Sequence, residues 1–132
     1  MRIYLDAAPV IYLVQQVVPW ARMVRARMAQ PGVQTVISDL TRLECRVKPI
    51  RDQDEVLLAD FDRYFREDVN ETVQLSSAAV NRATEIRAAH RFKTPDALHL
   101  GAALVSGCDA FLTNDHRLDG FPGIKVEVVE DL

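Results

Sequence analysis

Residues 94–115 read TPDALHLGAALVSGCDAFLTND, and this stretch decides the class of the fold. Its first half predicts a helix, with Thr94 as the N-cap and Pro95 at the first helical position. Gly107 is expected to end that helix, and an apolar strand over residues 110–112 follows almost at once. A helix that leads so directly into a buried strand is typical of alternating α/β architecture.

The same alternation extends through the rest of the chain. Short apolar runs predict strands at residues 3–5, 35–37, 72–75, 110–112 and 124–128. Helical patterns lie between them, at residues 9–18, 20–29, 39–47, 52–66 and 77–89. Short loops are expected at residues 30–32 and 47–51. Because strands that alternate with helices favour a parallel sheet covered on both faces, we predict a three-layer α/β/α sandwich, with residues 1–132 forming a single domain.

Composition narrows the possible partners and compartment. The 132 residues carry 16 Lys+Arg and 19 Asp+Glu, and the formal net charge of -3 excludes a strongly basic coat for nucleic acid. The apolar stretch near the start is interrupted by Asp6 and Pro9, is too short to span a bilayer and lacks a signal-peptide cleavage pattern. Cys45 and Cys108 are far apart and show no metal-binding spacing. We therefore expect a cytoplasmic protein with reduced thiols and no membrane association.

Two acids follow directly on predicted strands. Asp6 ends the first strand, and Asp115 comes shortly after the strand at residues 110–112. Ligands of open α/β sheets bind beyond the carboxyl ends of the strands. These two positions therefore predict chemistry at one edge of the sheet.

Two further acids lie on predicted helices. Glu44 falls within the apolar stripe of the helix after the second strand, where an ionised and unpaired group would be costly. Its structural alternative is a salt bridge to a nearby base, namely Arg42, Arg46 or Lys48. Asp96 lies in a first helical turn, where the helix dipole favours acids in any case.

Taken together, the four carboxylates favour a metal site. No single basic residue neutralises acids that converge from two strand ends and two helices, whereas a divalent cation does. Oxygen ligands select Mg²⁺ or Mn²⁺, and the lack of a His pair or Cys cluster disfavours zinc. Such sites suit phosphodiester hydrolysis, so the hypothesis at this point is a metal-dependent nuclease or phosphatase.

Four segments, taken in order and at similar spacing, resemble the PIN-domain ribonucleases, specifically the VapC-type toxins of bacterial toxin–antitoxin pairs. They are IYLDAAPVIYLV at 3–14, SDLTRLEC at 38–45, KTPDALHLGAA at 93–103 and FLTNDHRL at 111–118. The resemblance implies a PIN-like fold and a Mg²⁺- or Mn²⁺-dependent endoribonuclease that acts on RNA. It also implies a VapB-like antitoxin partner, which sends a basic side chain into the acidic site, and a homodimer.

The resemblance assigns roles to individual residues. It makes the catalytic and metal-binding residues a quartet of acids: Asp6, Glu44, Asp96 and Asp115. It gives supporting roles to Thr113, whose hydroxyl typically steadies an acid or a metal-bound water in this family, and to its neighbour Asn114. A plain turn role remains open for Thr113, because Thr, Asn and Asp all favour turns.

The chain departs from the family after the first acid. Relatives often carry Ser, Thr or Asn there, whereas Ala7 and Ala8 follow Asp6 in this chain. A hydroxyl contact near the metal is therefore expected to be missing.

Candidate residues outside the quartet have weaker claims. Arg42 and Arg46, one helical turn apart, are candidate RNA contacts, with ordinary solvation as the alternative. Arg91 and Lys93 are further candidates for RNA contacts. His99 lies among apolar helix positions, which is typical of a packed and hydrogen-bonded histidine rather than a general base.

Two other functions stay open at this stage. A receiver-type signalling domain shares the α/β alternation and an acidic phosphate site, but it has paired acids at the first strand's end, where Asp6 stands alone. A PIN-like binding scaffold without activity is the other, and metal binding separates it from the enzyme.

Overall fold

A computed structural model describes residues 1–132 of the protein. The strands are β1 (Arg2–Leu5), β2 (Gln34–Ser38), β3 (Glu71–Val73), β4 (Ala110–Thr113) and β5 (Lys125–Val128). The helices are α1 (Ala7–Gln15), α2 (Trp20–Met28), α3 (Asp39–Arg51), α4 (Glu55–Glu67), α5 (Ser77–His90) and α6 (Thr94–Val105). Two 3-10 turns follow β4 and β5, at His116–Leu118 and Val129–Asp131.

The five strands form one parallel sheet in the order β3-β2-β1-β4-β5. Successive strands of the first half add on one side of β1, and β4 and β5 add on the other. The order of the strands therefore switches direction between β1 and β4, and this is the place where open α/β sheets bind ligands. The residues that follow these two strands lie at that crevice.

Both faces of the sheet are covered by helices. Side chains alternate along β1, so Ile3 and Leu5 pack on one face with residues of α1 to α4, whereas Tyr4 packs on the other with α5 and α6. All three side chains are fully buried. The predicted three-layer α/β/α sandwich is confirmed.

Three helix boundaries differ from the sequence-based expectation. Thr94 is the first residue of α6 and not its N-cap, because the extended residue before the helix is Lys93, which makes no side-chain cap. α1 ends at Gln15, since Gln16 adopts a left-handed conformation with φ of 53°. α3 continues through the predicted loop to Arg51, with a buried Pro49 inside it. Pro49 has no N–H to donate to the hydrogen bonds of the helix. Its carbonyl oxygen accepts a hydrogen bond of 2.8 Å from the Asp54 amide.

Cys45 and Cys108 are both free thiols, the first buried and the second half-buried. Among the helices, none combines the length and the apolar character that crossing a bilayer requires.

Candidate active site

Asp6 is held rigidly at the carboxyl end of the central strand. It is the N-cap of α1, and its Oδ1 accepts a hydrogen bond of 2.7 Å from the Ala7 amide. Its Oδ2 accepts a hydrogen bond of 2.8 Å from the hydroxyl of Thr113, at the end of the neighbouring strand β4. Both carboxylate oxygens therefore have fixed positions. The hydroxyl of Thr113 therefore contacts Asp6, whereas Ala7 and Ala8 carry no hydroxyl.

Glu44 reaches the same place from α3 and meets a buried histidine of α6. Glu44 Oε1 lies 2.5 Å from His99 Nε2, and Asp6 Oδ1 lies 3.4 Å from the same nitrogen. One ligand atom from each of these three residues lies within 4.8 Å of the other two. The structural alternative for Glu44, a salt bridge with a nearby base, is not what the structure shows.

Asp96 lies in the first turn of α6 and is half-buried. Burial, followed by the negative charges of Asp6 and Asp115, raises the pKa of the Asp96 carboxyl above its ordinary value. The side chain is outside the tight group that Asp6 forms with its two neighbours, but it is close enough to feel the charges of two other acids. Asp96 is therefore near other acids of the predicted quartet, but its carboxylate is not one of the three groups whose ligand atoms meet.

Asp115 is engaged by a base that the sequence reasoning missed. Arg117 forms a bidentate pair with it, with Nη2 at 2.5 Å from Oδ2 and Nε at 2.9 Å from Oδ1. The Arg117 amide also donates to Asp115 Oδ1, at 3.0 Å. The hydrogen bond from this guanidinium holds the pKa of Asp115 below its ordinary value. The sequence did carry a hint, because an arginine follows two residues after an acid that caps a 3-10 turn.

The two supporting residues have different surroundings. Thr113 is buried, and besides donating to Asp6 its hydroxyl accepts a bond of 3.1 Å from the Asp115 amide, so it links two of the acids. Asn114 instead donates to the Tyr12 hydroxyl at 2.9 Å and accepts from the Glu130 amide at 3.2 Å. Asn114 therefore ties the turn to α1 and to the C-terminal segment rather than to the acids.

The candidate RNA contacts Arg42 and Arg46 are both in ion pairs. Arg42 pairs with Asp39 at 3.2 Å on the same helix, and Arg46 pairs with Asp62 of α4 at 3.0 Å. Each arginine is two residues from Glu44, which on an α-helix is a rotation of roughly 200°. Their side chains therefore project away from the face of α3 that carries Glu44.

The residues at this edge of the sheet fit a hard divalent cation. Asp6 and Glu44 provide carboxylate oxygens within reach of one another, and Asp96 adds negative charge whose repulsion a cation relieves. Oxygen donors of this kind are those that Mg²⁺ and Mn²⁺ prefer.

Comparison with known proteins agrees with the fold. A family model described as the PIN domain matches residues 3–124. No curated protein matches the chain by sequence. Among solved structures, VapBC2 from Rickettsia felis bound to a promoter DNA fragment has a TM-score of 0.80 and 15% identity, covering 97% of this chain and 98% of that one.

Two other solved structures are similar. VapBC-1 from nontypeable Haemophilus influenzae has a TM-score of 0.75 and 16% identity, covering 98% of this chain and 99% of that one. VapC20 from Mycobacterium tuberculosis, described as a toxin that cleaves the sarcin-ricin loop, has a TM-score of 0.72 and 13% identity, covering 93% and 98%. At these identities the likeness establishes the fold.

Proposed function

This chain belongs to the PIN domain family, and from that premise we propose that it is a divalent-metal-dependent endoribonuclease, the VapC-type toxin of a toxin–antitoxin pair. We also propose that residues 1–132 form one PIN-like domain and that the protein acts in the cytoplasm. The observation that carries it is the meeting of Asp6 and Glu44 with the nearby Asp96 at the switch point of the sheet.

Asp6, Glu44 and Asp96 are the proposed cation ligands, and Asp115 is proposed as the fourth acid. When bound, Mg²⁺ or Mn²⁺ lowers the pKa of a water and stabilises the leaving oxygen of a phosphodiester. The chain's own contribution is to fix the acids in advance. Thr113 holds Asp6 by a hydrogen bond of 2.8 Å. Asp115, by contrast, is paired with Arg117, which a cation at Asp115 would have to displace.

A covalent mechanism has no support at this site. Burial raises the pKa of the Cys45 thiol, so this cysteine, next to Glu44 in the sequence, is a poor nucleophile. The buried His99 is engaged by Glu44 and has no serine or cysteine to activate. Hydrolysis by water is therefore the mechanism that we propose.

Contacts to RNA must be local, because the chain as a whole is acidic. Arg42 and Arg46 remain proposed contacts, although each now competes with an acid of its own. Arg117 lies nearer to the acids, since its charge lowers the pKa of Asp96. We therefore propose Arg117 as a further RNA contact.

A VapB-like antitoxin is the proposed partner. Several similar structures are described as VapBC or other toxin–antitoxin complexes. Physically, the acids of the site would accept an arginine or lysine when no metal is present. In this chain Arg117 already does this for Asp115. A basic side chain from the antitoxin would do the same for Asp6 and Glu44.

A homodimer is also proposed, and α3 offers a self-complementary surface for it. Leu43, Val47 and Ile50 lie on one face of the helix and are 57%, 48% and 53% exposed. In an antiparallel pair of α3 helices, Leu43 of one copy faces Val47 of the other, and Asp39 at one end faces Arg51 at the other end. Light scattering on the purified protein tests this, because Val47→Glu is expected to reduce the mass to that of one chain. An unchanged mass would count against the surface.

Of the two alternative functions, that of a receiver-type signalling domain is wrong. Family membership places the chain elsewhere, and its strand order differs from the 2-1-3-4-5 order of flavodoxin-like receivers. The inactive scaffold is an outcome of the experiment below.

The experiment is cleavage of a pool of structured RNA by the purified, antitoxin-free protein in Mg²⁺ or Mn²⁺. We expect cutting that EDTA abolishes and that Asp6→Asn abolishes. Asp39→Asn is a matched control, since Asp39 also follows a strand but pairs with Arg42 outside the site. No cutting together with no Mn²⁺ binding would favour the scaffold.

A further inference from the structure

His99 joins the candidate site to the core of the sheet. It lies in the middle of α6 and is 1% exposed, and both of its ring nitrogens are engaged. Nε2 lies 2.5 Å from Glu44 Oε1, and Nδ1 lies 2.7 Å from the hydroxyl of Tyr4. Tyr4 is on the central strand and is fully buried. A continuous chain of polar contacts therefore runs from β1 to a proposed metal ligand.

The hydroxyl groups beneath His99 determine which way the hydrogen bonds run. Ser38 Oγ accepts from the Leu40 amide at 3.2 Å and lies 2.7 Å from the Tyr4 hydroxyl. The Ser38 proton has no other acceptor than Tyr4, so Ser38 donates to Tyr4. The other nearby hydroxyl, that of Thr41, donates to the Leu5 carbonyl at 3.2 Å. Every buried side-chain nitrogen and oxygen has a partner in this arrangement.

Because Tyr4 accepts from Ser38, its own proton goes to His99 Nδ1. Burial raises the pKa of the Tyr4 phenol, which keeps that proton in place. The Nδ1 atom is then an acceptor, and the ring proton of a neutral imidazole lies on Nε2. An Nε2–H group facing a carboxylate oxygen is a donor, and a nitrogen that carries a proton cannot bind a metal ion.

From these contacts we propose that His99 is a positioning residue: its Nε2–H holds Glu44 toward the cation site, and the ring itself is not a ligand. The inference rests on the proposed function, since it concerns the same metal site. The proximity of His99 Nε2 to both Asp6 and Glu44 would otherwise read as a three-ligand site with one nitrogen. The hydrogen bonds assign the histidine to a supporting role and leave the cation an oxygen environment.

The reason for such a residue lies in the length of the glutamate side chain. Glu44 is 31% exposed and extends from α3 across to α6, so it has rotamers to choose from in solvent. The bond to a buried, doubly anchored ring selects one of them before a cation arrives. Groups that orient metal ligands in this way typically change metal affinity 10- to 100-fold when they are removed.

Three variants test the proposal by Mn²⁺ titration of the full chain. His99→Leu removes both bonds and is expected to weaken Mn²⁺ binding about 10- to 100-fold. His99→Gln keeps an N–H donor near the position of Nε2, and we expect it to restore most of that affinity. Tyr4→Phe keeps the ring that packs in the core and removes only the hydroxyl that fixes Nδ1. It therefore decides the question even if His99→Leu does not fold. We expect weaker binding in Tyr4→Phe as well.

A spectroscopic measurement separates a positioning role from ligation. In ¹⁵N-histidine NMR, with the resonances assigned by comparison with His99→Gln, His99 is expected to be neutral with its proton on Nε2, both before and after saturation with Mg²⁺. Loss of the Nε2 proton on Mg²⁺ addition would make His99 a ligand and overturn the proposal. Unchanged Mn²⁺ affinity in Tyr4→Phe and His99→Leu would overturn it too.

These outcomes are distinct from failure of the proposed function. If the wild-type chain neither binds Mn²⁺ nor cleaves RNA, the nuclease proposal fails together with its metal site. If the wild-type chain does both and the two variants match it, only the role of His99 fails.

Discussion

Asp96 has no base paired with it, in contrast to Asp115, which pairs with Arg117. Asp96 is half-buried in the first turn of α6, and burial together with the charges of Asp6 and Asp115 raises the pKa of its carboxyl. A cation bound nearby would relieve that repulsion. Repulsion of this kind lowers the stability of the metal-free protein and is typical of functional sites.

Replacing that charge separates stability from metal binding. Asp96→Asn is expected to weaken Mn²⁺ binding and RNA cleavage, while the unfolding midpoint in EDTA stays the same or rises because repulsion with Asp6 and Asp115 is lost. Calorimetric titration and thermal unfolding measure the two effects, with the exposed Asp119→Asn as control. Unchanged cleavage would count directly against the assignment of Asp96.

The ion pair between Arg117 and Asp115 leads to a second prediction. The guanidinium of Arg117 pairs with both oxygens of Asp115 and adds positive charge beside the proposed cation site. Arg117→Gln is therefore expected to strengthen Mn²⁺ binding, by about threefold to tenfold given solvent screening of an exposed charge. Arg82→Gln, on α5 and paired with Glu85, is the control. Weaker binding in Arg117→Gln would show that Arg117 supports the site rather than competes for Asp115.

The position of Asp6 at the end of a strand was predictable from the sequence, whereas the role of Thr113 rested on the family resemblance. Asp6 follows β1 directly, and Thr113 ends β4, so adjacency of the two strands brings them together. The partner of Glu44 was not predictable in the same way, because Glu44 and His99 lie inside helices and not at the ends of neighbouring strands. That contact depends on how α3 and α6 are placed across the sheet.

At the scale of elements, α5 and α6 pack unusually closely at Gly101. A Cβ atom built there would lie 2.6 Å from the Ala79 carbonyl oxygen and 3.0 Å from the Ala83 amide nitrogen. Both atoms are backbone and cannot rotate away. The small residues Ala79, Ala83 and Gly101 therefore set the position of α6, which carries Asp96 and His99.

Gly101→Ala is expected to lower the free energy of unfolding by about 1–2 kcal/mol, because the clash with α5 outweighs the gain in helix propensity. Urea unfolding measures the change. Gly120→Ala is the matched control, since a Cβ at Gly120 meets nothing within 4 Å. Equal stabilities of the two variants would mean that α5 shifts without cost.

Element boundaries were harder to predict than element types. All five strands and the six helices were expected in the right order, because their apolar patterns differ in period. α3 continues through the predicted loop at residues 47–51, where Pro49 is buried inside the helix. α6 began one residue early because Lys93 is extended and Thr94 already belongs to the helix.

At the scale of the whole molecule, the outer strand β5 is tied to α2 by an ion pair. Arg27 bonds Glu127 through two contacts of 2.7 Å and 3.0 Å, and the two side chains are 13% and 10% exposed. The hydrogen bond from Arg27 holds the pKa of Glu127 below its ordinary value of 4.5. The pair therefore links the last strand of the sheet to a helix that is 100 residues earlier in the sequence.

Because the pKa of Glu127 is lowered in the folded state, its contribution to stability is present above pH 4.5 and is lost as the pH falls through the lowered value. Glu127→Gln is expected to reduce the free energy of unfolding by about 1–2 kcal/mol at neutral pH, since it removes the charged acceptor of the partly buried Arg27. The difference from wild type should shrink in acid, as urea unfolding across the pH range would show. Glu85→Gln, an exposed carboxylate, is the control. A difference that does not depend on pH would point to packing rather than charge.

The overall architecture follows from the alternation of strands and helices, whereas the order of the strands does not. Local patterns do not say that β4 pairs with β1, although this pairing places Thr113 beside Asp6. The sheet order of β3-β2-β1-β4-β5 comes from packing across the whole chain. It is this order that gathers residues from distant segments at one crevice.

The nuclease proposal requires that this crevice bind a divalent cation through Asp6. The most direct measurement is a Mn²⁺ titration of the purified chain, comparing wild type with Asp6→Asn and with the control Asp39→Asn. Asparagine keeps an oxygen that caps α1 and removes the charge, so the fold is expected to persist. We predict saturable binding in wild type and in Asp39→Asn, and none in Asp6→Asn. Equal binding in all three proteins, or no binding in wild type, would contradict the account.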